Sequence, residues 1–164
     1  MNLDEFWKVI EDSRRGPDLD AQMGVLRERL VSLAPSELAD FDRHLHKLGA
    51  ESYGWNLWGA AYLINGGCSD DGFDYFRGWL IAQGRRWFES ALADPDSLAD
   101  LPGLTDFAEL EEILYVANQV HEEKIGSRIP AERIPWPELG EGWGFDDEEE
   151  MRTRYPKLFA KFSS

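Results

Sequence analysis

WNLWGAAYLINGGCSDDGFDYFRGWLIAQGRR, from Trp55 to Arg86, decides the fold. It contains Trp55, Trp58, Trp79 and the only cysteine, Cys68. Trp55, Trp58 and Tyr62 share one side of a helix predicted over 51–64, and Leu57, Ala61 and Ile64 share another. A helix apolar around most of its circumference is a buried one. Asn65-Gly66-Gly67 ends it, because glycine reaches left-handed backbone cheaply. Ser69 or Asp70 then caps a second buried helix, expected to run unbroken to Leu92, with Asp70, Asp71 and Asp74 at its positive end. Gly84 falls inside that helix, where it costs about 1 kcal/mol relative to alanine. Close approach of another helix would offset that cost.

Outward on the N-terminal side, the pattern is amphipathic throughout. Asn2 and Glu5 have capping-box spacing, and Leu3, Phe6, Trp7 and Ile10 make one face of a helix ending near Arg15. Leu19, Met23, Leu26, Leu30 and Leu33 form the stripe of a helix over 18–33. Pro35 suits the first position of a third helix, which carries Leu38, Phe41, Leu45 and Leu48 and is stopped by Gly49. His44 and His46, two apart, point to different faces and cannot chelate one metal ion from that helix; both read as ordinary surface or boundary histidines.

On the C-terminal side, Asp94-Pro95 and Pro102-Gly103 are breaks. A sixth helix is expected over 105–124, with Phe107, Leu110, Leu114, Ala117 and His121 on its buried side. From Gly126 the segment IPAERIPWPELGEGWGF is too rich in proline and glycine for a helix and too apolar for a free linker. It reads as an extended strap laid across the bundle, followed by a short acidic helix from Asp146 to Arg154 and a last turn from Pro156. The expected fold is thus all-α: one domain of about six helices, with 1–125 as the helical core and 126–164 as strap and short C-terminal helix.

The 164 residues carry 32 acidic and 17 basic side chains, for a net charge of −15. That balance opposes binding to nucleic acid phosphates or an anionic membrane surface and favours a basic protein partner or a cationic ligand. No apolar run approaches the roughly 20 residues of a membrane span, and the acidic, aromatic N-terminus does not resemble a secretory signal. One cysteine cannot form an internal disulfide, which fits a reducing cytoplasm. No metal or cofactor is expected.

Chemistry concentrates on the helix after the glycine loop. Asp70, Asp74, Arg77, Ile81 and Arg85 fall on one strip at steps of four, three, four and four. Buried charges must be paired, so the strip is either an internal ion network or one wall of a polar pocket bounded by Trp55, Trp58, Tyr62 and Trp79. In such a pocket arginine would hold an anionic or planar group and the aromatic rings would stack it. Cys68 stands just before a helix start, a setting that can lower a thiol pKa, but the sequence signals no partner histidine. The candidate ligand-binding residues are Trp58, Cys68, Asp70, Asp71, Asp74, Arg77 and Arg85; no catalytic set is assigned.

FWKVIEDSRR, LWGAAYLINGGCSDDGFDYFRGWLIAQGR and ADPDSLADL together resemble the bacterial domain of unknown function 4240. The matching residues are Trp58, Gly67, Cys68, Ser69, Asp70, Asp71, Phe73, Phe76, Arg77, Trp79, Leu80, Ile81, Gly84 and Arg85. The resemblance implies a small, largely helical, intracellular domain and carries no activity, cofactor or catalytic residue with it. Three functions stay open. The leading one is a non-catalytic acidic interaction protein for a basic partner, in one version an inhibitor or immunity-like protein. The others are a small-ligand-binding regulator using a Trp/Arg-lined pocket, and a hydrolase-type enzyme using the Cys68–Asp74 loop.

Overall fold

The computed structural model describes residues 1–163. Among them the regular structure is helical, with no strand. In order come α1 (Leu3–Ser13), α2 (Leu19–Val31), α3 (Pro35–Glu51), α4 (Trp55–Asn65), α5 (Asp70–Ala82) and α6 (Arg85–Ala93). Two 3-10 turns follow, Pro95–Asp100 and Glu112–Leu114, then α7 (Val116–Ile125), α8 (Glu148–Arg154) and α9 (Pro156–Phe162). No helix among the described residues is long and apolar enough to cross a membrane.

Local chemistry sets most helix starts. Asn2 and Glu5 form the reciprocal capping box, with Glu5 N–H to Asn2 Oδ1 at 2.8 Å and Asn2 N–H to Glu5 Oε2 at 2.7 Å. Asp18 caps α2 through Ala21 N–H at 2.8 Å, and Ser69 caps α5 through Gly72 N–H at 3.1 Å. Gly49 does not stop α3, which continues to Glu51. Gly66, at φ +66°, ends α4 as the sequence predicts.

At the centre lies α5. Phe73, Phe76, Leu80 and Ile81 are buried in the same core as Phe6, Ile10, Leu38 and Phe41. Around it, α3 packs along α7, and α1 along α2. Two expected helices are shorter than predicted. Gly84 adopts φ +99° and divides the helix expected over 70–92 into α5 and α6. The close approach expected at Gly84 occurs instead at Gly78. A Cβ there would stand 2.7 Å from Leu110 O and 2.8 Å from Ile113 Cγ2.

The helix expected over 105–124 begins only at Val116, after the 3-10 turn. The backbone before it is committed elsewhere. Asn65 accepts Ala108 N–H at 2.7 Å and donates to Ala108 O at 3.2 Å, while Leu110 N–H donates to Tyr75 O at 2.9 Å. A chain bonded outward to α4 and α5 cannot also close i→i−4 bonds. Phe107, expected on a buried stripe, is 67% exposed.

Residues 127–144 contain no helix. Ile129 N–H donates to Asn118 Oδ1 at 2.8 Å at one end, and Trp55 Nε1 donates to Gly140 O at 3.0 Å at the other. The last helix is held to the core by Asp96, which accepts Lys157 N–H at 3.1 Å and Leu158 N–H at 2.9 Å. Tyr155 Oη, lying against Gly59, donates to Asn56 O at 2.6 Å.

The contact at Gly78 gives a direct test. Gly78→Ala forces a methyl against backbone and should lower unfolding free energy by about 1–3 kcal/mol in urea. Gly49→Ala, where a Cβ meets open space, should be neutral or stabilising.

Candidate functional site

Arg77 is the polar centre of α5. It is 3% exposed. Its Nη2 donates to Asp74, one turn earlier on the solvent-facing side. Its Nε and Nη1 are buried and have no hydrogen-bond partner among the described residues. The guanidinium instead lies against three rings: Cζ is 4.4 Å from the centroid of Phe73, 5.0 Å from Tyr53 and 5.3 Å from Trp136. Burial pushes the Arg77 pKa down while Asp74 opposes the shift; an arginine stays charged at neutral pH regardless.

Two unmet donor nitrogens, carrying three N–H bonds between them, cost about 1–3 kcal/mol each. Contacts of a desolvated cation with aromatic faces return roughly 1–2 kcal/mol apiece. The terms nearly balance, so the ring cage holds the charge without using its donors.

The ring beneath Arg77 belongs to a longer stack. Phe73 stacks on Trp58 at 4.7 Å and 19°, and Trp58 on Trp55 at 5.2 Å and 24°. Trp58 is fixed by its Nε1 donating to Cys68 O at 2.9 Å. It supports the Arg77 environment one ring removed.

Beside Arg77 is a cavity of about 200 Å³, lined by Leu45, His46, Gly49, Asp74, Ile81, Leu114, Tyr115 and Trp136 among others. His46 and Trp136 also line a larger groove of about 800 Å³ between α3 and residues 128–136, together with Asp42, Arg43, Asn118, Arg128 and Ile134. Sites for small molecules span about 300–1,000 Å³; the groove falls in that range and the recess below it. His46 Nε2 lies 3.2 Å from Asp42 Oδ1 at i,i+4, a contact that is an ion pair when the imidazole is protonated. The Asp42 carboxylate raises the His46 pKa above its ordinary value by more than burial lowers it, and Asp74 adds to the effect.

The other candidates scatter. Arg85 is on α6, past the break at Gly84, and its Nη1 and Nε are taken by Asp4 at 2.7 Å and Glu89 at 2.8 Å. It is therefore not on the Arg77 strip. Asp70 and Asp71 are exposed in the first turn of α5; Asp70 lies 3.5 Å from Tyr53 Oη. Neither Cys68 nor Asp71 is among the residues lining the recess. Burial, with a smaller push from Glu109, raises the Cys68 thiol to about 12, so the helix start does not lower it. No group of three or more histidine, cysteine, aspartate or glutamate residues among those described could hold a metal ion.

The aromatic walls also differ from those expected. Trp55 and Tyr62 pack on Phe145, and Tyr62 Oη bonds to Asp146. Trp79 packs on Phe76. Tyr53, Phe73 and Trp136 take their place around Arg77. His46 and Asp42 were readable as an i,i+4 pair, and Trp136 as an indole between two prolines in a segment too apolar for a linker. Their convergence on Arg77 had no sequence signal.

A family profile described as "Protein of unknown function (DUF4240)" matches residues 1–123. The chain belongs to this family. No curated protein and no solved structure matches it. Arg77, Asp74 and His46 of the recess and Tyr53 against the guanidinium fall in the matched part, and Trp136 outside it.

A thiol pKa near 12 instead of 9 reduces the thiolate at pH 8 by about a thousandfold. Iodoacetamide should therefore label Cys68 in the native protein far more slowly than in urea, measured by mass spectrometry; equal rates would show an activated thiol.

Proposed function

We propose that this protein is a non-catalytic binding protein that receives an acceptor-bearing, anionic group of its ligand on Arg77. The supporting observation is an arginine only 3% exposed, with two unpartnered donor nitrogens, beside a cavity. Buried donors in a native protein almost always have partners, and charge-assisted bonds from arginine to a carboxylate are strong in a dry site. Leu45, Ile81 and Leu114 add apolar walls, so an apolar carboxylate fits better than a bare inorganic anion. The Cys68 thiol offers no support for the hydrolytic alternative.

The probe is 3-methylbutanoate, with 3-methylbutanol as the uncharged control, in thermal melts at constant ionic strength. A probe present at tenfold its Kd stabilises by about 1.4 kcal/mol, or roughly 3–5 °C for a chain of this size. The carboxylate should shift the wild-type melt by that much at 10 mM, if its Kd is about 1 mM as for small fragments. The alcohol should not, and Arg77→Met should abolish the shift. An equal shift in Arg77→Met, or none in the wild type, removes this reading.

The net charge of −15 supports a second reading, a basic protein partner. Phe107 is its specific observation: a ring 67% exposed two residues before Glu109 and close to Glu111 and Glu112 in sequence. Acid-rimmed aromatic contacts are salt-sensitive, so association with a basic partner should weaken steeply between 50 and 300 mM salt and in Phe107→Ser.

A further inference from the structure

We infer that the acceptor held by Arg77 is the terminal carboxylate of an extended peptide, so that the recess and groove together read the C-terminus of a partner protein. The inference rests on the anion-holding role of Arg77 and adds what the anion is attached to.

The first observation is continuity. The recess holds little more than a carboxylate and one side chain, and it shares His46 and Trp136 as lining residues with a groove about four times its volume. A free small acid would leave that groove empty. The second observation is the groove wall. Residues 130–139 are non-helical and mostly exposed, and among the described residues none of their backbone groups makes a hydrogen bond. Pro130 and Pro135 bracket Ala131-Glu132-Arg133-Ile134, leaving four consecutive N–H groups available. An exposed stretch of unpaired, non-helical backbone can pair its N–H and C=O groups with an extended peptide laid beside it, at about 4.8 Å spacing. The third is the recess floor, where Leu45, Ile81 and Leu114 surround space beside Gly49 and Gly78. An apolar last side chain fits there while its carboxylate meets Nε and Nη1.

Trp136 covers the guanidinium. It is 52% exposed, and its ring contacts are the edge of Tyr53 at 5.1 Å and the Arg77 cation. It has to swing outward to admit a carboxylate. The entering anion replaces the cation–ring contact with charge-assisted bonds to donors that have no partner beforehand.

The test uses the full chain and two pools of N-acetylated pentapeptides ending in leucine, random at the first four positions. One pool carries the free carboxylate and the other the C-terminal amide. Affinity selection with mass spectrometry should retain free-acid peptides on the wild type, at least tenfold less on Arg77→Met, and no amide peptides. Arg133→Pro and Ile134→Pro each remove one N–H of the groove wall and keep the Arg43–Glu132 pair; one of the two should reduce peptide retention at least threefold and leave the 3-methylbutanoate melt shift unchanged, and no loss in either overturns the inference. Equal retention of both pools, or of neither, overturns the inference. The 3-methylbutanoate shift is read separately: if it persists, Arg77 still holds anions and only the peptide assignment falls; if it too is absent, both fall.

Discussion

A single positive charge buried on the central helix constrains the rest of this molecule. Arg77 sits on α5 one turn from Phe73 and one turn from Ile81, both buried in the apolar core. Taking a guanidinium out of water costs several kcal/mol even after relaxation. One carboxylate, Asp74, answers it from the solvent edge, and rings answer it from inside. The run Trp55–Trp58–Phe73 builds those rings into a stack whose last face carries the cation. α4 has to supply the two indoles, the turn between α3 and α4 has to supply Tyr53, and the glycine loop has to hold Trp58 through Cys68 O. The loop that first looks like an active site is thus a bracket for the stack.

The site also joins two parts of the chain with different characters. The helices matched by the family profile bring the charge, its partner carboxylate and the His46–Asp42 pair. The segment beyond residue 123 brings the indole that closes over them and the groove wall beside it. Its anchors are spaced apart: Asn118 holds Ile129, Arg43 holds Glu132 at 2.6 Å, and Trp55 holds Gly140. The Arg43 contact is a half-exposed ion pair of the kind worth less than about 1 kcal/mol. Between Glu132 and Gly140 the chain is fastened by packing alone, which leaves Trp136 free to respond to what reaches Arg77.

Much of this was legible in the sequence because helix signals are local. Asn2 with Glu5, Asp18, Ser69 and Gly66 fix ends through atoms within a few residues, and the structure places them as the spacing predicts. Gly84 and Gly78 were indistinguishable as letters in one apolar run. One needs positive φ and the other a close backbone neighbour, and only the packing of residues 110–113 on α5 separates the two demands. The same packing hid the loop at 105–111, since apolar residues at helical spacing do not reveal that Asn65 has claimed Ala108. Arg77 could be singled out as a charge in a buried helix. Its separation from Arg85 depended on Gly84, and its partners Tyr53 and Trp136 lie 24 and 59 positions away in the chain.

Buried arginine persists in a protein either because it stabilises the fold or because it serves a ligand, and stability separates the two. Replacing a buried ion pair by apolar side chains often costs nothing or gains about 1–4 kcal/mol, whereas removing one partner costs about 3–5 kcal/mol when the other is left buried. Asp74, nearly half exposed, can return to water when the arginine is gone. Urea unfolding of Arg77→Met beside the wild type, followed by circular dichroism, is therefore the most direct measurement. Unchanged or increased stability is the result expected of a residue kept for recognition. A loss of about 3 kcal/mol or more would make the guanidinium a structural tie and contradict the binding role given to it here.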